Sequence, residues 1–204
     1  MLPEALSNGM CSLRPNEDRA CLAVQITIDN QGKKLSHKFF RALMRSKARV
    51  TYEDLQSTFD SKEKIQSSGG FIGKLAIPLY GAFNALHTAR LIRGALDIEV
   101  PEMQVQLDTT GEVENIKDRE RLDSHRLIEE FMVLANVCAA ETLEEKKYPC
   151  VYRVHDVPSK DKIDGLRINL EAFGIKLNKG QVITSKLFNE VLKNTEKLQD
   201  NKLL

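Results

Sequence analysis

Ser124–Ala140, SHRLIEEFMVLANVCAA, is the stretch from which the rest of the chain can be read. Leu127, Ile128, Phe131, Met132, Leu134, Ala135, Cys138 and Ala139 recur at helical spacing and fill one broad stripe of a helical wheel. Glu130 borders that stripe on one side and Asn136 on the other, while Glu129 points away. Asp123-Ser124-His125, just before the apolar run, offers oxygens for an N-cap. Periodicity alone makes this a core helix of a mixed domain.

Upstream of that helix the hydrophobic period changes from 3.6 to 2 and back. In Ile98–Ile116 (IEVPEMQVQLDTTGEVENI) Met103, Val105 and Leu107 alternate with polar residues, Thr109-Thr110-Gly111 turns, and Val113 returns, which predicts a hairpin. Leu75–Leu96 predicts a long helix with Pro78 near its start, a stripe of Ala82, Ala85, Leu86, Ala89, Ile92 and Leu96, and Gly94 as its stop. Ser67-Ser68-Gly69-Gly70 marks a loop, but no Gly-Lys-Ser/Thr follows, so it is not a phosphate-cradling loop. Arg19–Asp29 and Lys33–Met44 flank the turn signal Asn30-Gln31-Gly32 and predict another hairpin. Pro3 suits a first helical turn that Ser7-Asn8-Gly9 would break. Downstream, Cys150–Pro158 predicts a short strand and turn, Ile163–Phe173 a helix ended by Gly174, and Thr184–Leu204 a last polar helix with Lys202 near its end. Antiparallel hairpins packed with long helices make the fold class α+β.

The chain has 204 residues and a formal net charge of +1, so no global electrostatic footprint for nucleic acid is present. Its four cysteines form no C-x-x-C pair and match no zinc spacing; as free thiols they fit a reducing cytoplasm. Met1–Arg14 lacks the basic start and apolar run of a signal peptide, and charged residues interrupt the most apolar region, Phe71–Leu96, so no membrane span is expected. Lys33–Arg49 holds seven lysines and arginines and no acid. Such a run is either a solvated strand face or an edge that contacts phosphates, with Arg45, Lys47 and Arg49 as the candidate contacts. His155 and Asp156, adjacent on a predicted strand, would point to opposite faces and not form a general-base pair.

SHRLIEEFMVLAN closely resembles a segment of the catalytic domain of the ribonuclease II/ribonuclease R family, hydrolytic 3′→5′ exoribonucleases. Further strings resemble that family in the same order. They are Leu-Pro-Glu-x-Leu-Ser-Asn-x-x-Cys-Ser-Leu from Leu2, Ser-x-x-Arg-x-Thr-Tyr ending at Tyr52, Arg-Gly-Ala-Leu-Asp ending at Asp97, Pro101-Glu102, and Tyr-Arg-x-His-acidic from Tyr152. The resemblance covers residues 1–174, the central part of an RNB-type catalytic domain, and leaves 175–204 as a weakly matched polar helix. It implies an incomplete domain, with Met1 at what is an internal position in the family and a sheet edge left exposed and prone to aggregation.

The resemblance also implies roles. Tyr52 would lie near the 3′-terminal nucleotides, its ring stacking on a base or sugar, although a tyrosine at a strand–helix junction with a locally satisfied hydroxyl has the same sequence signature. A glutamate of the Glu-Glu pair would contact nucleotide near the scissile end; Glu130 is the choice because it borders the stripe, with Glu129 open. Hydrolysis in the family uses Mg2+ held by an aspartate cluster containing Asp-x-Asp-Asp, and no such string occurs in the chain. The downstream Thr-Ser-Pro-Ile-Arg-x-Tyr-x-Asp string is absent too. The expectation is therefore no catalytic residue and no Mg2+ on this chain alone, inactivity without a companion polypeptide carrying those segments, and single-stranded RNA with a 3′ end as ligand, with no DNA or membrane partner. The alternative is a non-catalytic RNA-binding or protein-interaction remnant of a split or decayed gene.

Overall fold

The computed structural model describes residues 2–61, 71–96, 98, 103–118, 120–180 and 182–195. Ser67–Gly70, Asp97, Pro101-Glu102 and Lys202 of the readings above lie outside the described residues. The chain divides into two compact units, Met1–Ala89 with Glu102–Tyr148, and Arg90–Pro101 with Pro149–Leu204. Helices and two separate two-stranded antiparallel sheets make the fold α+β.

In the first unit a wide helical turn, Ala5–Met10, runs through Ser7-Asn8-Gly9, which was expected to break it. Its Cys11 N–H reaches back to the Leu6 carbonyl, a longer ring that accommodates the small residues. Strands β1 (Asp18–Ile28) and β2 (Lys34–Arg45) form the expected hairpin. Asp29 Oδ1 accepts from the Gln31 and Lys33 amides, both at 2.9 Å, and fixes the turn. Gly32 occupies it at φ +76°, packed so closely on the Ala85 backbone that no side chain fits.

Helix α1 (Tyr52–Asp60) starts at Thr51, whose hydroxyl accepts from the Asp54 amide at 3.1 Å. Helix α2 (Phe71–Arg93) begins earlier than its pattern suggested, so Pro78 stands in its interior and forfeits one helical hydrogen bond. It stops at Gly94, φ +73°, where the Ala95 amide returns to the Arg90 carbonyl. Its buried face centres on Ala76, Tyr80, Phe83 and Leu86; Ile92, placed on the stripe from the sequence, is exposed.

Strands β3 (Met103–Leu107) and β4 (Val113–Asp118) form a second hairpin. The organising helix α3 spans Asp123–Glu145. Its buried line is Ser124, Leu127, Glu130 and Cys138, whereas Ile128 and Met132 face outward, so the true stripe is rotated toward Glu130. Its first turn is also capped differently from expectation. Leu122 precedes it and has no side-chain oxygen to offer; instead the Leu122 amide donates back to His125 Nδ1 at 3.2 Å, and the first-turn amide of Ser124 is taken by Gln56 Oε1 at 3.1 Å.

Tyr80, Phe83 and Leu127 form the core of this unit, with Leu55, Phe59, Leu79 and Phe131 against it. Phe59 stacks on Tyr80 at 3.7 Å, and Phe83 meets Tyr80 edge-on at 6.2 Å. Burial and the carboxylates of Asp123 and Asp60 push the Tyr80 phenol up to about 12.

The second unit holds α4 (Lys160–Ala172) and α5 (Ser185–Thr195) around Leu170, Leu177 and Val191. Ser159 caps α4, and Gly174 at φ +76° ends it as expected. The strand predicted at Cys150–Pro158 does not form: the segment pairs with no other strand among the described residues, and Val151, Val154 and Val157 are exposed. Strand-forming residues alone supply no ladder, because the backbone groups need a partner strand.

Candidate functional site

The candidate residues gather where β2 hands over to α1 and where α3 begins. After β2 the Ser46 carbonyl accepts from the Asn16 amide at 2.8 Å, and the exposed segment Lys47–Val50 leads to the Thr51 cap. Tyr52 is therefore the first residue of α1, at a position fixed by that cap. It stays 39% exposed while its ring stacks on His125 of α3, centroids 4.1 Å apart and planes 23° from parallel.

One turn further along α1, Gln56 Oε1 accepts from both the Ser124 amide and the Tyr80 hydroxyl, each at 3.1 Å. The N-termini of α1 and α3 are thus joined at two successive levels, one aromatic and one by hydrogen bonds.

The two glutamates separate cleanly. Glu129 is exposed and pairs with Arg121 at 2.5 Å. Glu130 is 6% exposed and turns toward α2, with an oxygen 3.9 Å from His87 Nδ1; the His87 ring in turn stacks on Phe83. A buried carboxylate needs such polar neighbours to offset its desolvation. From His125 to Glu130 is five residues, about 140° around the helix and about 7.5 Å along it. The Tyr52 contact and Glu130 therefore lie on different faces of α3.

The basic segment is divided as well. Arg45 makes a two-point contact with Asp18, its registered neighbour across the hairpin, at 2.5 and 2.7 Å. That pairing holds the Asp18 carboxyl below its ordinary range. Lys34 pairs with Glu141 of α3. Lys47 and Arg49 are exposed and make no ion pair among the described residues, so their charge is available beside Tyr52.

His125, Gln56 and His87 escaped the reading of the sequence as site residues. No sequence signal marked His125, because Leu122 at the N-cap lacks the side-chain oxygen that would announce a capping box. Gln56 lies one turn after Tyr52, a neighbour in space on any helix.

The RNB domain family matches residues 1–204. Ribonuclease R of Escherichia coli K12 is 33% identical over 204 residues, covering 100% of this chain and 25% of that protein. Ribonuclease R of Aquifex aeolicus is 34% identical over 196 residues, 96% of this chain and 28% of the relative. The chain thus spans about a quarter of the length of these curated relatives. Among solved structures, Mycoplasma genitalium RNase R in complex with ribose methylated single-stranded RNA superposes with a TM-score of 0.85 at 26% identity, covering 99% of this chain and 32% of that one. Its complex with double-stranded RNA gives 0.86, covering 36% of that chain.

Proposed function

Because this chain belongs to the RNB domain family, we propose that it is the central, RNA-holding part of a hydrolytic 3′→5′ exoribonuclease catalytic domain in the cytoplasm. The observation that carries the reading is Tyr52, an exposed ring held at a helix start beside the uncommitted cations Lys47 and Arg49. A flat ring takes a nucleobase or ribose, and flanking cations take the phosphates of the same strand. The family resemblance makes Glu130 a second contact, accepting from the ribose hydroxyl that distinguishes RNA from DNA; its carboxylate is 6% exposed and faces His87, so that role requires the side chain to turn outward from α2.

The family implies Mg2+, and the residues described here do not fit it. Among them no three His, Cys, Asp or Glu side chains converge, and the sequence has no Asp-x-Asp-Asp string. Cleavage is accordingly assigned to segments outside these 204 residues, on the same polypeptide or on a companion one. A second reading, a protein-interaction remnant, is favoured by the exposed apolar residues of the β3–β4 hairpin.

Fluorescence anisotropy with a 5′-labelled oligoadenylate tests the first reading. Tyr52→Leu should weaken binding about tenfold, the value of one base–aromatic stack. Glu130→Gln should reduce the preference for RNA over the matching DNA. Binding unchanged in both variants would overturn it. Magnesium alone should produce no shortened RNA.

A further inference from the structure

We infer that His125 is a positioning residue: its ring, fixed by its own bond to the first turn of α3, backs one face of Tyr52 and leaves the opposite face as a one-sided stacking surface. The inference rests on the reading of Tyr52 as a nucleotide contact.

His125 is committed twice. Its Nδ1 accepts from the Leu122 amide at 3.2 Å, so that nitrogen carries a lone pair and, in the neutral ring, the proton sits on Nε2. Its face meets the Tyr52 ring at 4.1 Å and 23°. An isolated tyrosine at the first position of a helix is free to swing about its first side-chain torsion and presents two faces to solvent. Here one face is covered by a ring that cannot rotate without giving up a backbone hydrogen bond. The Gln56–Ser124 bond, one turn away, keeps the two helices from sliding apart. A base arriving at Tyr52 then completes a stack of three rings and orders nothing further.

Pre-ordering of this kind is worth about two- to tenfold in affinity, because a side chain already immobilised is not ordered again on binding. It also gives the stack a direction, since a nucleotide can approach from one side only.

Two substitutions separate the ring from the cap. His125→Gln keeps an acceptor at the capping position and removes the ring. His125→Phe keeps a ring and removes the acceptor. The first readout needs no RNA. Tyrosine ring resonances of the full chain, with four tyrosines and Tyr52 identified by Tyr52→Phe, should show Tyr52 shifted by the neighbouring ring. His125→Gln should abolish that shift and His125→Phe should retain it.

The second readout is binding of 5′-labelled oligoadenylate. His125→Gln should weaken it about fivefold at a melting temperature near the parent's, and His125→Phe should restore most of the affinity while melting lower. Adding His125→Gln to Tyr52→Leu should cost nothing more. If Tyr52→Leu weakens binding but His125→Gln does not, or if the two losses add, positioning is overturned while the RNA reading stands. If Tyr52→Leu has no effect, the RNA reading fails and takes this inference with it.

Discussion

The two hairpins of the first unit are built alike and end differently. Each is a pair of antiparallel strands closed by an aspartate whose Oδ1 gathers turn amides, Asp29 in one and Asp108 in the other. Each has a glycine at positive φ, Gly32 and Gly111, and each carries a one-residue irregularity next to the turn. Yet β1–β2 is docked on the helices. Gly32 lies on the Ala85 backbone, His37 Nε2–H donates to Thr142 Oγ1 at 2.8 Å, and Lys34 pairs with Glu141. Near its turn Val24, Ile26, His37 and Phe39 are half-buried on one face; toward the open end Cys21, Ala23, Ala42 and Met44 are half-buried on the other. In β3–β4 Met103, Val105, Leu107, Val113 and Ile116 are all more than half exposed. Local turn chemistry makes a hairpin; what covers its face is decided by residues far away in the sequence.

The sharpest way to break this contrast is to add one methyl to each turn. Gly32→Ala meets a positive φ and an Ala85 backbone that its Cβ would approach to well inside 3.0 Å. It should cost about 2–5 kcal/mol, the conformational penalty plus overpacking. Gly111→Ala meets a positive φ and open space, so it should cost only about 1–2 kcal/mol, and only in its own hairpin. Urea unfolding read by tyrosine emission compares them directly. Equal costs would mean that the first hairpin is not docked in solution.

Smaller in effect is the latch between β2 and α3. Thr142 Oγ1 donates to the Cys138 carbonyl at 2.8 Å, so it receives the His37 proton and both partners are satisfied. Thr142→Val leaves a half-buried His37 donor unpaired and should cost about 1–2 kcal/mol. The companion measurement is hydrogen exchange, which should speed up in β1 and β2 and leave β3 and β4 unchanged. Uniform acceleration would make the latch a general core contact instead of a hairpin clasp.

The same contrast explains how much was legible beforehand. Both hairpins, the helix Ser124–Ala140 and the stops at Gly94 and Gly174 followed from period and turn residues, because those signals are local. The rotation of the α3 stripe toward Glu130 was not legible, since it depends on which neighbour, α2 with His87, lies alongside. The strand expected at Cys150–Pro158 did not form because no other strand among the described residues pairs with it, whereas β3–β4 has its ladder and keeps its apolar residues exposed. At the site, Tyr52 stood out through resemblance. His125 beneath it did not, because a histidine serving as a cap acceptor and a stacking platform is visible only when two helices, 73 positions apart at those residues, are brought together.

The smallest expected effect is the most informative about the bare hairpin. Val105 and Ile116 are registered opposite one another and share the open face of β3–β4. Val105→Thr with Ile116→Thr keeps branching at Cβ, and hence strand preference, while replacing apolar surface by hydroxyl. If that face meets water, the pair should change stability by no more than about 0.5 kcal/mol. It should also reduce concentration-dependent light scattering, because an exposed apolar face with unpaired strand edges is what promotes association. If the face is covered in solution by another copy of the chain, burying two hydroxyls without partners costs more, about 1–3 kcal/mol, and the cost grows with protein concentration. A loss that rises with concentration therefore identifies the bare face as an interface, and a flat, near-zero one identifies it as free.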